Sequence, residues 1–184
     1  MHKGLVEQAQ RGDAEAFDAL ASMVGDRCLA IAVRILRDID LAEDAVQAAL
    51  IKAWTDLRTL REPSRFEPWL HRILTNECYV EAGRRKRWTE ALRILPVAGA
   101  YGPDEYLNVD DRDLLERAFR RLTVQQRAVL VFHHYLGLSI AEVAVRTGLP
   151  VGTAKSRLHH ASRALRASID ADSRAIPPSQ ERLA

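Results

Sequence analysis

The densest group of side chains that could do chemistry lies near the C-terminal end, on a segment with helical periodicity. It combines cationic, imidazole and hydroxyl side chains, and it contains no acidic residue. A helix face that only meets solvent usually mixes acids with bases at four-residue spacing. This face instead favours contacts with phosphates and base edges of nucleic acid, and the residue types leave open which residue makes which contact. The candidate DNA-binding residues are Thr153, Lys155, Ser156, Arg157, His159, His160 and Arg163.

Signals before and within this segment predict a helix-turn-helix. Ser139 and Glu142 have the spacing of a capping box, which begins a helix. Gly148 can adopt the left-handed conformation that ends a helix, and Pro150 prevents continuation. A helix that is apolar on one side and basic on the other suits the DNA major groove. The helix pair alone also fits an ordinary helical hairpin. The apolar stripe of the second helix is Val151, Ala154, Leu158, Ala161, Leu165 and Ile169.

A second cationic group ends a predicted helix that begins with Pro68 in its first turn. Phe66 is expected in the polar loop just before this helix. An aromatic, an amide and an arginine run together are typical of surfaces that hold single-stranded or melting DNA. Trp69 alone fits the hydrophobic core equally well. The residues of this group are Phe66, Trp69, Asn76, Arg84, Arg85 and Arg87.

A third candidate surface lies on a helix predicted from an N-cap at Asp40 to about Leu57. Its predicted inward face carries Val46, Leu50 and Trp54. The other face carries acids at its rim and small or apolar residues between them, so it is flat and partly uncharged. Such a surface favours a protein partner with complementary basic groups. The residues predicted on this outward face are Asp44, Gln47, Ala48, Ala49 and Ile51.

The whole chain of 184 residues reads as all-α, because helical periodicity dominates and strand signals are almost absent. We predict two small helical domains, at 1–88 and 108–170, the second containing the helix-turn-helix. Proline and glycine residues indicate a flexible linker at 89–107, with a short helix possible across Leu92 to Leu95. Residues 171–184 are expected to be a disordered tail. The net charge of +2 is small, so the basic groups described above are local features.

Several function classes are disfavoured. Cys28 and Cys78 fit buried free thiols, and no Cys/His cluster has the spacing of a metal site. No nucleophile–base pair and no glycine-rich phosphate loop is present, so we expect no enzyme, no cofactor and no metal. No apolar run reaches the roughly 20 residues of a membrane helix, and the N-terminus lacks a signal-peptide pattern. We therefore expect a cytoplasmic protein without membrane insertion.

Three segments, in this order, resemble bacterial sigma factors of the extracytoplasmic-function group. Residues 40–54 (DLAEDAVQAALIKAW) resemble their polymerase-binding helix. Residues 66–76 (FEPWLHRILTN), with the arginine run that follows, resemble their promoter-melting helix. Residues 122–130 (LTVQQRAVL) through 152–158 (GTAKSRL) resemble their C-terminal DNA-binding domain. The resemblance extends over about residues 5 to 170.

The resemblance implies a transcription initiation factor that binds core RNA polymerase and directs it to promoter DNA. Asp44, Gln47, Ala48 and Ile51 would dock on the clamp helices of the largest polymerase subunit. The loop from Arg58 to Phe66, with Asn76, would capture the unwound −10 element. The helix from Thr153 to Arg163 would read the −35 element as duplex. An anti-sigma protein is an expected regulatory partner.

Two positions depart from the family pattern. The family commonly has an acid where this chain has Ala48, and often has an aspartate where this chain has Val80. We expect Ala48 to weaken one polar contact to polymerase and Val80 to alter −10 specificity. The alternatives are a helix-turn-helix regulator that acts on duplex DNA without being a polymerase subunit, and an adaptor that never contacts DNA.

Overall fold

The computed structural model describes residues 3–94 and 111–175, and every regular element in these ranges is helical. The all-α prediction is therefore confirmed. Short 3-10 turns at Leu57–Thr59 and Pro63–Arg65 separate the third and fourth helices, and a π-helical turn at Val131–Tyr135 follows the sixth. The main helices are α1 Lys3–Gln10, α2 Ala14–Leu36, α3 Ile39–Asp56, α4 Phe66–Ile94, α5 Asp111–Arg120, α6 Val124–Leu130, α7 Ile140–Thr147 and α8 Val151–Ala175.

The sequence predicts a long helix with Asp13 as its cap and apolar residues at steps of three and four on one face, and α2 is that helix. The Asp13 side chain caps it by accepting a hydrogen bond of 3.1 Å from the Ala16 amide. All the apolar residues predicted on its inner face are buried, so this helix forms the centre of the N-terminal core. Those residues are Phe17, Leu20, Val24, Cys28, Ile31 and Ile35.

Helix α3 differs from the prediction in its start and in its buried face. Asp38, not Asp40, is the N-cap, and its carboxylate accepts a 3.1 Å hydrogen bond from the Leu41 amide. The prediction that Ala49 faces outward is wrong, since only 1% of it is exposed, whereas Trp54 on the predicted inner face is partly exposed. Small side chains let helices approach closely, which places a row of alanines against α2 and α4. The buried row is Ala42, Ala45, Ala49 and Ala53.

Helix α4 is longer than predicted at both ends. Phe66 begins the helix and is buried, with 2% of its surface exposed, so its placement in a loop is wrong. The helix continues through the arginine run to Ile94, which is helical where the linker was expected to begin at 89. Leu95 and the rest of the predicted linker up to residue 107 lie outside the described residues. Helices α3 and α4 run antiparallel, because Lys52 pairs with Glu77 near one end (3.1 Å) and Asp38 pairs with Arg85 near the other.

The helix-turn-helix forms as predicted. The capping box between Ser139 and Glu142 is present, and Gly148 ends α7 with φ of 67°. A second capping box opens α6, where Thr123 and Gln126 exchange hydrogen bonds of 2.9 and 3.2 Å.

Two C-terminal predictions need correction. Val129, Phe132 and Leu136 predict one helix that stops near Gly137, but this helix changes to a π-helical turn after Leu130. Helix α8 extends to Ala175, so the tail expected to be disordered from residue 171 is helical over its first five positions. An ion pair of 2.8 Å between Arg121 and Asp172 fixes this end of α8 to the segment after α5. Residues 176–184 lie outside the described ranges.

The N-terminal and C-terminal helices pack together into one continuous hydrophobic core. Helix α7 packs on α4, and α6 packs on both α2 and α4. Arg127 of α6 is buried and donates hydrogen bonds to the carbonyl oxygens of Ile35 (2.5 Å) and Leu122 (3.0 Å). The rings of His71 and Phe132 lie 5.7 Å apart across the same boundary. The two predicted domains are thus in direct contact.

Candidate nucleic-acid and polymerase interfaces

Helix α8 presents a basic face opposite a buried one. Ala154, Leu158 and Ala161 of the predicted apolar stripe are buried, but Val151 is wrongly assigned to it because 54% of its surface is exposed. The helix is held from the inside by small and aliphatic residues while its polar side chains extend away from the core. The exposed members of the predicted DNA-binding set are Lys155, Ser156, His159, His160 and Arg163, and Thr153 and Arg157 are partly buried.

Arg157 is partly buried because α8 meets α4 at this point. Burial raises the pKa of the Tyr79 phenol on α4, and the positive charge of Arg157 opposes that rise. The phenol makes no hydrogen bond of good geometry within the described residues. Nearby, the α7–α8 turn touches α4, since a Cβ built on Gly148 would lie 3.2 Å from Nε of Arg72. The predicted −35 helix and the predicted melting helix are therefore in contact.

Helix α4 carries an exposed ridge beyond this contact. Asn76, Val80 and Arg84 are all exposed, and they follow one another at four-residue spacing. Arg84 pairs with Glu81 at 2.7 Å, and Arg85 pairs with Asp38 of α3. The structure therefore places the amide and the arginines of the melting group along one helix.

Phe66 and Arg58, which were also expected to contact the melted DNA, lie apart from this ridge. Phe66 is in the core, with its ring centroid 6.2 Å from that of the partly buried Trp69. A buried ring cannot stack on a DNA base, so the structure offers no support for the expected base contact of Phe66. Arg58 follows the C-terminal end of α3 and lies beside Gly12, whereas Arg85 is tied to the N-terminal end of α3. These two arginines are separated by most of the length of α3, about 25 Å.

The predicted polymerase surface is exposed on α3. Asp44, Gln47 and Ile51 face solvent, and Ala48 is partly buried beside them. Ile51 also lines a groove of about 400 Å³ between α2 and α3. Trp54 forms part of the groove wall and packs against Phe17 with ring centroids 5.0 Å apart. The surface is thus apolar at one end and acidic at the other, and the groove was not foreseen from the sequence.

Cys28 and Cys78 are free thiols buried in the hydrophobic core, as predicted. Burial raises the pKa values of Cys28 and Cys78 to about 12, so both stay protonated thiols at neutral pH.

Among the described residues no three His, Cys, Asp or Glu side chains are grouped to hold a metal ion. No helix in the described ranges is long and apolar enough to cross a membrane.

Sequence reasoning missed Arg127 and His71, which hold the two halves of the molecule together. Burial, reinforced by the charge of Arg37, lowers the pKa of Arg127 to about 10, so its guanidinium is still protonated at neutral pH. Burial and the charges of Arg146 and Arg27 lower the pKa of His71 to about 4. Both residues lie within segments that resemble the family, but nothing in those segments singles them out, and only the fold reveals that each lies at the boundary.

An all-α chain that presents a basic helix-turn-helix beside an arginine-bearing helix has the construction of a DNA-binding transcription protein. Residues 20–89 match the family described as Sigma-70 region 2, and residues 112–165 match Sigma-70, region 4. The chain belongs to the sigma-70 family, and within it to the extracytoplasmic-function sigma factors.

Individual relatives agree with this assignment. The chain is 32% identical to the ECF RNA polymerase sigma factor SigL of Mycobacterium tuberculosis, over 86% of this chain and 93% of the relative. It is 31% identical to the RNA polymerase sigma-H factor of Pseudomonas aeruginosa, over 88% and 90%. Among solved structures, it is similar to the sigma factor RpoE of Bartonella quintana in complex with the anti-sigma factor NepR. That similarity has a TM-score of 0.64 and 28% identity, and covers 86% of this chain and 99% of the other.

Proposed function

We propose that this chain joins core RNA polymerase through α3, recognises the −35 element through α8 and helps to open the −10 region through α4. The observation that carries the proposal is that three exposed surfaces of the right chemistry occur in the matched regions. They are acidic and apolar on α3, amide and cationic on α4, and cationic with hydroxyls on α8. The chain acts as an initiation factor in the cytoplasm, and bond formation belongs to the polymerase.

The polymerase contact is assigned to Asp44, Gln47, Ala48 and Ile51. Acidic and amide groups at one end of the surface complement a basic partner, and the exposed Ile51 beside the α2–α3 groove supplies apolar area for binding. We assign the clamp helices of the largest polymerase subunit as the partner of this surface.

The −35 contact is assigned to the exposed face of α8. The first turn of α8 offers unpaired backbone amides and a favourable helix dipole near Thr153, which suits a phosphate. We assign Lys155 and Arg163 to phosphates. The guanidinium of Arg157 presents two N–H donors side by side, which fits the two acceptor atoms at the edge of a guanine. Ser156, His159 and His160 complete the exposed face.

The −10 contact is assigned to Asn76 and the arginines of α4. An exposed amide can hydrogen-bond the edge of an extruded base, and Arg84, Arg85 and Arg87 neutralise the phosphates beside it. Arg58 contacts DNA from the other end of α3. Trp69 and Phe66 support α4 from the core.

An anti-sigma protein is the proposed regulator. The molecule has an apolar groove of about 440 Å³ where α2, α5 and α8 meet, lined by Leu115, Phe119, Tyr135 and Leu165 among others. This groove lies between the two matched regions, so a protein bound there would hold them in their present arrangement.

The test of the function is promoter-directed transcription with purified components. Core polymerase with the chain should give a run-off transcript of one defined length from its promoter, and core polymerase alone should not. If the chain binds the promoter as duplex without polymerase and gives no transcript with it, the protein is a stand-alone regulator.

A further inference from the structure

Helix α1 has no part in the functional assignment above, yet it holds the α3–α4 loop, residues 57–65. It packs against both 3-10 turns of this loop. The contact centres on Gln10, the last residue of α1, whose side-chain amide donates to two backbone carbonyl oxygens. The acceptors are the carbonyls of Leu57 (3.1 Å) and Leu60 (2.7 Å). An amide nitrogen carries two hydrogens, so Gln10 directs both of its donors at this loop.

The two carbonyl groups belong to the two ends of the first 3-10 turn, which Leu57 begins and Leu60 follows. Both leucines also bury their side chains, with 1% and 8% of their surfaces exposed. Each is thus fixed twice, by its side chain in the core and by its carbonyl group on Gln10. The Leu60 amide also donates to the Leu57 carbonyl (3.1 Å), which closes the turn between them. The backbone is therefore anchored on both sides of this turn.

The residues between and after these anchors are exposed and carry positive charge. Arg58 and Thr59 lie between the anchors, Arg61 follows them, and all three are exposed. The Thr59 hydroxyl donates to the Asp56 carbonyl (2.7 Å), which ties the turn to the end of α3 as well. The positions of Arg58 and Arg61 therefore depend on the backbone that Gln10 holds.

We propose that Gln10 is a positioning residue for promoter choice, which holds the α3–α4 loop in the shape that distinguishes one −10 sequence from another. Hydrogen bonds weaken steeply with distance and angle, so a loop selects among bases only if its backbone keeps a fixed position. A displacement of about 1 Å is enough to lose a well-aligned contact. Both N–H groups of Gln10 are used within the protein, so it acts through the loop and not on the DNA. The proposal rests on the proposed function, which brings Arg58 to promoter DNA.

Limited trypsin digestion of the full chain, followed by mass spectrometry, tests whether Gln10 holds the loop. Gln10→Glu keeps the shape of the side chain but replaces the donor by an oxygen, which repels the two carbonyls. Cleavage after Arg58 and Arg61 should become about tenfold faster, since two hydrogen bonds of ordinary strength no longer oppose local opening. Gln10→Lys again supplies a donor and should be cleaved like the parent. Gln8→Glu, the same change at an exposed position of α1, is the matched control and should also behave like the parent.

A second measurement tests the consequence for promoter choice. Core polymerase assembled with each protein is given promoters that differ by single base pairs in the −10 element, and opening is measured by permanganate reactivity. The parent should prefer its own −10 sequence roughly tenfold over the substituted ones, and Gln10→Glu should lower that ratio to about twofold. Gln10→Lys and Gln8→Glu should keep the ratio of the parent. A loss of stability alone would reduce opening of all these promoters alike and leave the ratio unchanged.

Equal cleavage of Gln10→Glu and the parent would overturn the proposal. Faster cleavage with an unchanged −10 preference would also overturn it, because Gln10 would then serve stability only. If circular dichroism shows Gln10→Glu to be unfolded, Gln10→Ala takes its place and the same outcomes decide. Run-off transcription by the parent is scored separately. A parent without a promoter-specific transcript contradicts the proposed function, and the role of Gln10 falls with it, whereas a transcribing parent whose preference Gln10→Glu shares contradicts the role of Gln10 alone.

Discussion

At the scale of single residues, substitutions of Arg157 and Lys155 distinguish contacts to bases from contacts to phosphates in duplex DNA. Arg157→Ala should cost roughly 1–3 kcal/mol of binding to the −35 element if its guanidinium contacts a guanine edge. Lys155→Ala should weaken binding to all sequences alike and reduce the salt dependence by about one charge, since a phosphate contact carries no sequence information. Filter binding of the polymerase complex across a salt series measures both effects. Normal binding by both variants would remove α8 as the DNA-reading helix, and Lys3→Ala on α1 is the charge control.

Asn76 tests the melting role of α4. A pocket that holds a flipped base returns the few kcal/mol that unpairing costs. Polymerase carrying Asn76→Ala should still protect the −35 region in a footprint, yet give little permanganate-reactive open DNA. A promoter already mismatched across the −10 region should partly restore transcription. Equal opening of the intact promoter by parent and variant would make Asn76 a structural residue only.

His71 makes stability depend on pH. Burial lowers its pKa to about 4 in the folded protein, against about 6.5 when unfolded, with Arg146 and Arg27 adding to the shift. The unfolded chain therefore binds the proton more readily, so stability is full above pH 6.5 and falls as the pH drops toward 4. The loss from this residue is on the order of 3 kcal/mol.

Urea unfolding at several pH values measures this dependence. His71→Phe keeps a ring against Phe132 and should flatten the curve between pH 6.5 and 4, whereas the exposed His160→Phe should leave it unchanged. If both variants keep the slope of the parent, another group is responsible for it.

At the scale of elements, α3 should connect the chain to polymerase. Asp44 is exposed, so Asp44→Arg leaves the helix folded while placing a positive charge against a basic partner. We expect co-purification with core polymerase to be abolished and circular dichroism to match the parent. Asp26→Arg on α2 is the matched charge reversal and should bind normally. Retention of polymerase by a folded Asp44→Arg would move the docking surface off α3.

The elements also show what could be read from the sequence and what could not. Caps act within four residues, so the starts of α2, α6 and α7 were predictable from Asp13, Thr123 and Ser139. The buried face of α3 was not, because alanine gives a weak periodic signal and Trp54 suggested the wrong side. The course of α4 beyond the arginine run was missed for a related reason, since exposed helix and linker have similar polar compositions.

The candidate sites also have features that the sequence predicts and features that only the fold shows. Residue types on one helix face indicated nucleic acid at α8 and α4, because charge and hydroxyl chemistry are visible in the sequence. The burial of Phe66 depends on how α4 packs, and the role of Arg127 depends on a carbonyl group 92 residues away. Such contacts have no local signal.

At the scale of the whole molecule, Arg127 holds the two halves together. Its guanidinium reaches the carbonyl of Ile35 near the C-terminal end of α2, where the helix dipole favours a cation. Arg127→Ala should leave both halves folded but weaken their attachment, which small-angle scattering would report as an increase in the mean radius of gyration. The exposed Arg121→Ala is the control and should keep the dimensions of the parent. An unchanged radius for Arg127→Ala would place the main attachment at the His71–Phe132 contact.

The contact between α8 and α4 limits how the free protein can bind a promoter. The −35 and −10 elements lie about 25 base pairs apart, or roughly 85 Å of duplex. A compact chain of 184 residues has a radius of gyration of only about 16 Å. While Gly148 lies against Arg72, one molecule cannot reach both elements. Promoter occupancy should then follow the amount of assembled polymerase complex, and a large surplus of the chain by itself should leave promoters bare and open to competing transcription factors.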